Sequence, residues 1–217
     1  YSLCMPPEDE SSVVWINVDG VHKVDLIEKI GKNFKLHPLL IEDIVNTEQN
    51  PKMEDYEDHI YVVLKMIYLY TDEDVENEIV IEQVSFIAGK NYVISFQEEL
   101  GDVFDAVRDR IRYNKGRIRK SGSDYLAYSL MDAIVDGYYF VLEKRGEEIE
   151  EIEDKILENP EKELLEKIHS YKREMIYLRK STRHLREAIN SLEKAESELI
   201  KNNTKFYIRI YTTIPFR

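Results

Sequence analysis

From residue 123 to residue 192 apolar side chains recur at intervals of three and four, with one break at Asn159-Pro160. The first stretch places Tyr128, Met131, Val135, Tyr138, Leu142, Ile149, Ile152 and Ile156 on this spacing. The second continues with Leu164, Ile168, Tyr171, Met175, Leu178, Thr182, Leu185, Ile189 and Leu192. A half-buried strand repeats every second residue, so this pattern excludes a sheet and predicts two long helices, 123–158 and 161–200. Pro160 has no amide to give a helix interior but suits a helix start, and Asn159 suits the cap before it. Glu161 and Glu163 then fall in the first turn, where the helix dipole favours negative charge. Helices joined by so tight a turn are expected to pack antiparallel at a shallow angle. A purely structural hairpin already accounts for the periodicity. Gly146 is its weak point, since glycine inside a helix costs ~1 kcal/mol relative to alanine.

The residues before the hairpin alternate in type. "VVWINVDG" (13–20) reads as a strand running into an Asp-Gly turn. Residues 23–34 carry Val24, Ile27 and Ile30 at helical spacing, and "HPLLIEDIVN" (37–46) opens a second helix with Pro38 at its first position. "HIYVVLKMIYLY" (59–70) is β-branched and aromatic and predicts a long strand. After the acidic connector "TDEDVENE", residues 79–97 read as two strands around Gly89-Lys90-Asn91. Residues 102–113 form an amphipathic helix. "KGRIRKSGS" (115–123) is the expected boundary, giving a mixed α/β domain over 1–122 and the hairpin beyond it.

Composition narrows the function classes. The net charge of −13 disfavours nucleic acid, whose phosphates it repels, and suits cations. One cysteine, Cys4, permits no intrachain disulfide and points to a reducing compartment. No run of about 20 apolar residues is present to span a bilayer. A chain opening on Tyr1 rather than Met is expected to be part of a longer one.

Catalytic signatures are absent. His22, His37, His59, His169 and His184 are scattered, with no zinc-binding spacing, and there is no phosphate loop. Asp72 and Asp74 have EF-hand spacing, but Asn77 and Gln83 stand where that loop needs Gly and Glu. The basic run "RDRIRYNKGRIRK" (108–120) reads as a solvated helix face and loop, able to pair with the acidic "GEEIEEIEDK" (146–155). Two carboxylate pairs are harder to dismiss. Asp132 and Asp136 lie one turn apart in a largely apolar helix, where like charges repel. Glu42 and Asp43 fall toward the C-terminal half of a short helix, the unfavourable end for anions. Each pair could meet Arg, Lys or water, or could hold a hard divalent cation, which takes a few carboxylate oxygens plus waters.

The segments "HPLLIEDIVNTEQNPKMEDYEDHIYVVLKM", "EQVSFIAGKNYVISFQEELGDVFDAVRDRIRYNKGRIRK" and "DYLAYSLMDAIVDGYYFVLEK" closely resemble the cytoplasmic domain of the CorA family of magnesium/cobalt transporters. The resemblance covers roughly 13–209. It implies an α+β fold: an α/β/α sandwich with a mixed sheet, followed by a long antiparallel α-helical hairpin. It implies a non-enzymatic domain facing the cytoplasm, within a homopentamer anchored in the cell membrane by two C-terminal helices. In such proteins divalent cations bind between neighbouring domains and hold the channel closed. The resemblance implies metal roles for Asp43, with Glu42 beside it, and for Asp132, with Mg2+ as the ion and Co2+ as a substitute; none is carried onto Asp136. The related ZntB branch of zinc transporters shares the architecture but resembles these segments less. A stand-alone helical interaction protein is the reading from a different class.

The departures are at the C-terminal end. No membrane helix and no Gly-Met-Asn motif follow, so this chain is not expected to conduct ions. "YIR" (207–209) matches the start of the family's stalk, and residues 210–217 diverge. Ile210 stands where the family has an aspartate partner for the Asp43 site. The stalk helix is accordingly expected to end near 209.

Overall fold

The computed structural model describes residues 5–7, 9, 11–71, 77–158 and 161–213, the side chains of 158 and 211–213 excepted. The first part of the chain forms β1 (Val14–Asp19), α1 (Val24–Asn33), α2 (Pro38–Val45), β2 (Lys52–Asp55), β3 (His59–Tyr70), β4 (Glu78–Gly89), β5 (Tyr92–Gln97) and α3 (Asp105–Arg112). A short 3-10 turn, Ile118–Lys120, leads to α4 (Ser123–Glu158), α5 (Lys162–Lys194) and α6 (Asn202–Thr213).

The five strands lie in the order β1-β5-β4-β3-β2. β1 runs parallel to β5 and the other neighbours are antiparallel, so the sheet is mixed. The long strand β3 shows why it must be central. Ile60, Val62, Leu64 and Met66 join one apolar cluster, while Tyr61 and Val63 between them join the other. Period-two alternation with both faces apolar can be satisfied only by a layer on each side. On one face α1 and α2 supply Ile27, Ile30, Leu40 and Ile44. On the other, α4 and α5 supply Leu130, Ile134, Tyr138, Leu178 and Leu185. The result is the expected α/β/α sandwich. Residues on both sides of Gly122 contribute to one apolar cluster.

The hairpin is antiparallel. Arg145 on α4 meets Glu174 on α5 at 2.9 Å, and Glu148 accepts a hydrogen bond from Tyr171 at 2.8 Å, so one number falls as the other rises. Arg145 is 3 % exposed. Its guanidinium also holds Glu148 and the carbonyl oxygen of Asn77, and it lies over the Tyr171 ring. This tethers the end of the β3–β4 connection to both helices. The Asn159-Pro160 break and the acidic connector's centre fall outside the described residues.

α4 is buried on more than one stripe, because the sheet covers one side and α5 and α6 cover others. Two contacts fix its height above β3. Tyr138 donates its hydroxyl to the carbonyl oxygen of Lys65 at 3.0 Å. At Gly137 a Cβ would stand 2.8 Å from the carbonyl oxygen of Ile67.

Two expectations are corrected, and one strand is added. β2 carries no sequence signal, because "KMED" has no apolar alternation; as an edge strand it pairs only with β3 and tolerates charge. The helix expected over 161–200 stops at Lys194. Leaving the helix lets Leu199 and Ile200 fold into the core, and tertiary burial outweighs local propensity. A new helix then starts, because Asp124 Oδ2 accepts the Lys201 amide at 3.1 Å and the Thr204 hydroxyl at 2.5 Å. The carboxylate sits where the helix dipole favours an anion. Lastly, α6 continues through Ile210 to Thr213 rather than ending near 209, because Tyr207 and Ile208 pack into the core and the following residues prolong the helix.

Candidate cation-binding carboxylates

α2 is well built for its length. Pro38 occupies its first turn, and His37 caps it by accepting the Leu39 amide at 3.2 Å. Leu40 and Ile44 anchor its inner face, which turns Glu42 outward and leaves Asp43 half-buried. Asp43 does not stand alone. Its Oδ2 is 2.6 Å from Lys52 Nζ, and its Oδ1 accepts a hydrogen bond from Gln49 Nε2 at 3.1 Å. Lys52 is shared with Glu54 at 2.7 Å. Burial alone would lower the Lys52 ammonium, but Asp43 and Glu54 outweigh it and hold the pKa above its ordinary value. The loop after α2 is fastened to the sheet: Gln83 accepts the Gln49 amide at 3.1 Å and Lys65 donates to the Thr47 carbonyl oxygen at 2.7 Å.

Asp132 presents the opposite situation. It is half-buried on α4, and the Tyr128 hydroxyl reaches its Oδ1 at 3.4 Å. Neither Asp132 nor Asp136 has an ion pair among the described residues. Burial, and then the charge of Asp136, push the Asp132 pKa up to about 6; Arg110 and the Tyr128 hydroxyl act the other way without offsetting them. Burial also raises Asp136. Positions 132, 136, 139 and 140 share a helix face. On it Tyr139 is 37 % and Phe140 60 % exposed, so the carboxylates sit beside an uncovered aromatic surface.

The two sets are not brought together within one chain. α2 packs on one face of the sheet and α4 on the other. Among the described residues, no group of three or more His, Cys, Asp or Glu is gathered to hold a metal. The oxygen-only donors suit a hard, largely hydrated cation bound by one or two carboxylates, as Mg2+ is. Sequence reasoning missed Lys52 as the Asp43 partner and Arg145 as a buried hub. Lys52 gave no local signal, lying nine positions away in an unrecognised strand, and Arg145 gave none either, since it stands beside Lys144 in a densely charged stretch of α4.

Among the described residues no helix is long and apolar enough to cross a membrane. Comparison with known proteins is consistent across methods. The chain is 46 % identical over 205 residues to the cobalt/magnesium transport protein CorA of Thermotoga maritima, covering 94 % of this chain and 58 % of that protein. The chain thus spans less than two thirds of that relative's length. In structure it resembles the soluble domain of CorA from Methanocaldococcus jannaschii, with a TM-score of 0.76 at 20 % identity over 91 % of this chain and 77 % of that one. It also resembles the ZntB cytoplasmic domain from Vibrio parahaemolyticus, with a TM-score of 0.71 at 14 % identity over 92 % and 77 % of the two chains. Both likenesses show the fold alone. The family described as CorA-like Mg2+ transporter protein matches residues 10–213. With nearly all of its length inside that match, the chain belongs to the CorA family.

Proposed function

We propose that this chain is the cytosolic, divalent-cation-sensing domain of a CorA-like Mg2+/Co2+ transport channel, a regulatory module rather than an enzyme. In the whole protein, α6 leads toward membrane helices and the domain faces the cytoplasm in a homopentamer. The observation that carries the reading is the Asp132/Asp136 pair, two carboxylates with no ion pair among the described residues, on a face that also exposes Tyr139 and Phe140. Such a face suits a neighbouring copy, and a cation between copies neutralises what each chain leaves unpaired. Copies of a chain of net charge −13 repel, and bound cations offset that repulsion. Cation occupancy then biases the arrangement of domains through differential binding. Glu42 and Asp43 form the second proposed contact, where an incoming cation competes with Lys52 for Asp43. Carboxylate oxygens favour Mg2+, with Co2+ able to replace it, over the nitrogen and sulfur donors typical of zinc.

The test is calorimetric titration with CoCl2 and MgCl2, repeated on Asp43→Ala and Asp132→Ala. Sites with so few charged ligands are expected to bind in the millimolar range, and each variant is expected to bind more weakly. If both variants take up cobalt as the parent chain does, these carboxylates are ordinary surface charges and the sensing role fails.

A further inference from the structure

Between the approach to β1, the end of α3 and the 3-10 turn lies a groove of about 630 Å3. Its floor is apolar, built from Trp15, Ile111, Ile118 and Leu126. Arg112 and Arg119 stand in its walls. The local charge runs against that of the chain: residues 108–120 hold seven basic side chains and one acidic, in a protein of net charge −13.

Three of those cations have evident duties. Arg108 binds Asp102 and Asp105 and lies 5.3 Å from the Trp15 ring centre. Arg110 donates to the Tyr125 hydroxyl at 3.2 Å. Arg117 hydrogen-bonds the Tyr207 hydroxyl and lies over that ring, tying the segment to α6. The groove arginines are different. Arg112 has only an exposed contact with Asp109 at 3.6 Å, and Arg119 has no hydrogen bond or ion pair among the described residues. Asp9, on the approach to β1, is satisfied by the Ser11 amide at 2.8 Å and hydroxyl at 2.7 Å.

We propose that this groove binds a small organic phosphate bearing a flat ring, of the nucleoside phosphate class, with the phosphate between Arg112 and Arg119 and the ring on the Trp15–Ile111–Ile118 floor. The planar guanidinium fork matches phosphate oxygens two at a time, which a lysine ammonium does not. An aromatic and aliphatic floor adds affinity for a flat apolar group that a free phosphate lacks. The volume is in the range of small-molecule sites. Because the same segment holds α6 through Arg117 and Tyr207, a ligand drawing Arg112 and Arg119 inward loads the contact that positions α6. The proposal is independent of the carboxylate cation sites.

Trp15 is the chain's single tryptophan and therefore reports on its own groove. The experiment is titration with ADP, adenosine and inorganic phosphate in the presence of a chelator, followed by Trp15 fluorescence and by calorimetry. ADP is expected to give a saturable change, and adenosine and phosphate each to bind at least about tenfold more weakly, reflecting the loss of one half of the recognition. Arg112→Ala and Arg119→Ala are each expected to weaken ADP about tenfold with an unchanged circular dichroism spectrum, whereas Lys32→Ala, on α1, leaves it unaltered. The proposal is overturned if ADP gives no saturable signal by either method, if the arginine variants bind ADP like the parent, or if inorganic phosphate binds as tightly as ADP.

Discussion

The same substitution should have opposite effects at two glycines of α4, nine residues apart. At Gly146 an added Cβ meets nothing within 4 Å. Gly146→Ala therefore gains the helix propensity of alanine, ~0.5–1 kcal/mol, with nothing to set against it. At Gly137 the same methyl would stand 2.8 Å from the Ile67 carbonyl oxygen, well inside the ~3.3 Å at which carbon and carbonyl oxygen normally approach. That oxygen belongs to the backbone of β3, which is paired along its full length with β4 and cannot swing aside. The helix must lift instead. Overpacking of this kind costs ~1–3 kcal/mol, and lifting α4 also strains the Tyr138–Lys65 hydrogen bond, worth ~1 kcal/mol. Less the propensity gain, Gly137→Ala should lose ~1–3 kcal/mol. In thermal unfolding of a chain this size, 1 kcal/mol is roughly 2–4 °C, so the variants should separate clearly, one above and one below the parent. The double variant should be additive within about 0.5 kcal/mol. If Gly137→Ala is as stable as Gly146→Ala, the close approach of α4 to β3 is not what glycine serves at 137.

Asp132 gives a pH signature. Its folded pKa, about 6, lies above the ordinary 3.8, so protonation favours the fold: the contribution is full below pH about 4 and lost as pH rises through about 6. Asp132→Asn should therefore stabilise the metal-free protein at pH 7 by about 1.5 kcal/mol, roughly half the full linkage value because the side chain is partly exposed, and should be neutral below pH about 4. Urea midpoints measured across that range in chelator check this, and a pH-independent difference would refute the assignment. Arg145→Met should cost ~3 kcal/mol, since it removes the cation that Glu148 and Glu174 share and the donor to the Asn77 carbonyl oxygen; an unchanged urea midpoint would show that the carboxylates find water instead.

The parts of the fold that were legible are those where one signal dominates. The three-and-four spacing gave the hairpin, and the β-branched run gave β3. β2 escaped because an edge strand paired on one side has no apolar face to display. The end of α5 escaped because Leu199 and Ile200 look helical in sequence and leave the helix only for a core made by distant residues. At the candidate site the sequence alone drew attention to Asp132 and Asp136 as misplaced charges. It could not distinguish their condition from that of Asp43, since that depends on Lys52 lying 2.6 Å from Asp43 and on the lack of any ion pair to Asp132 and Asp136 among the described residues.

The clasp of Asp124 on Lys201 and Thr204 makes the long excursion of the chain return to its start. α4 alone reaches about 54 Å, yet α6 departs from beside the first turn of α4. The start of α6 is thus pinned at Asp124, while Tyr207 and Ile208 in the core and Arg117 on the Tyr207 hydroxyl hold its heading. Its 12 residues extend about 18 Å, so a tilt of about 10° at its base sweeps the far end through about 3 Å. Small shifts of the core around Asp124, Tyr207 and Ile208 are therefore magnified with distance along α6, which acts as a lever arm.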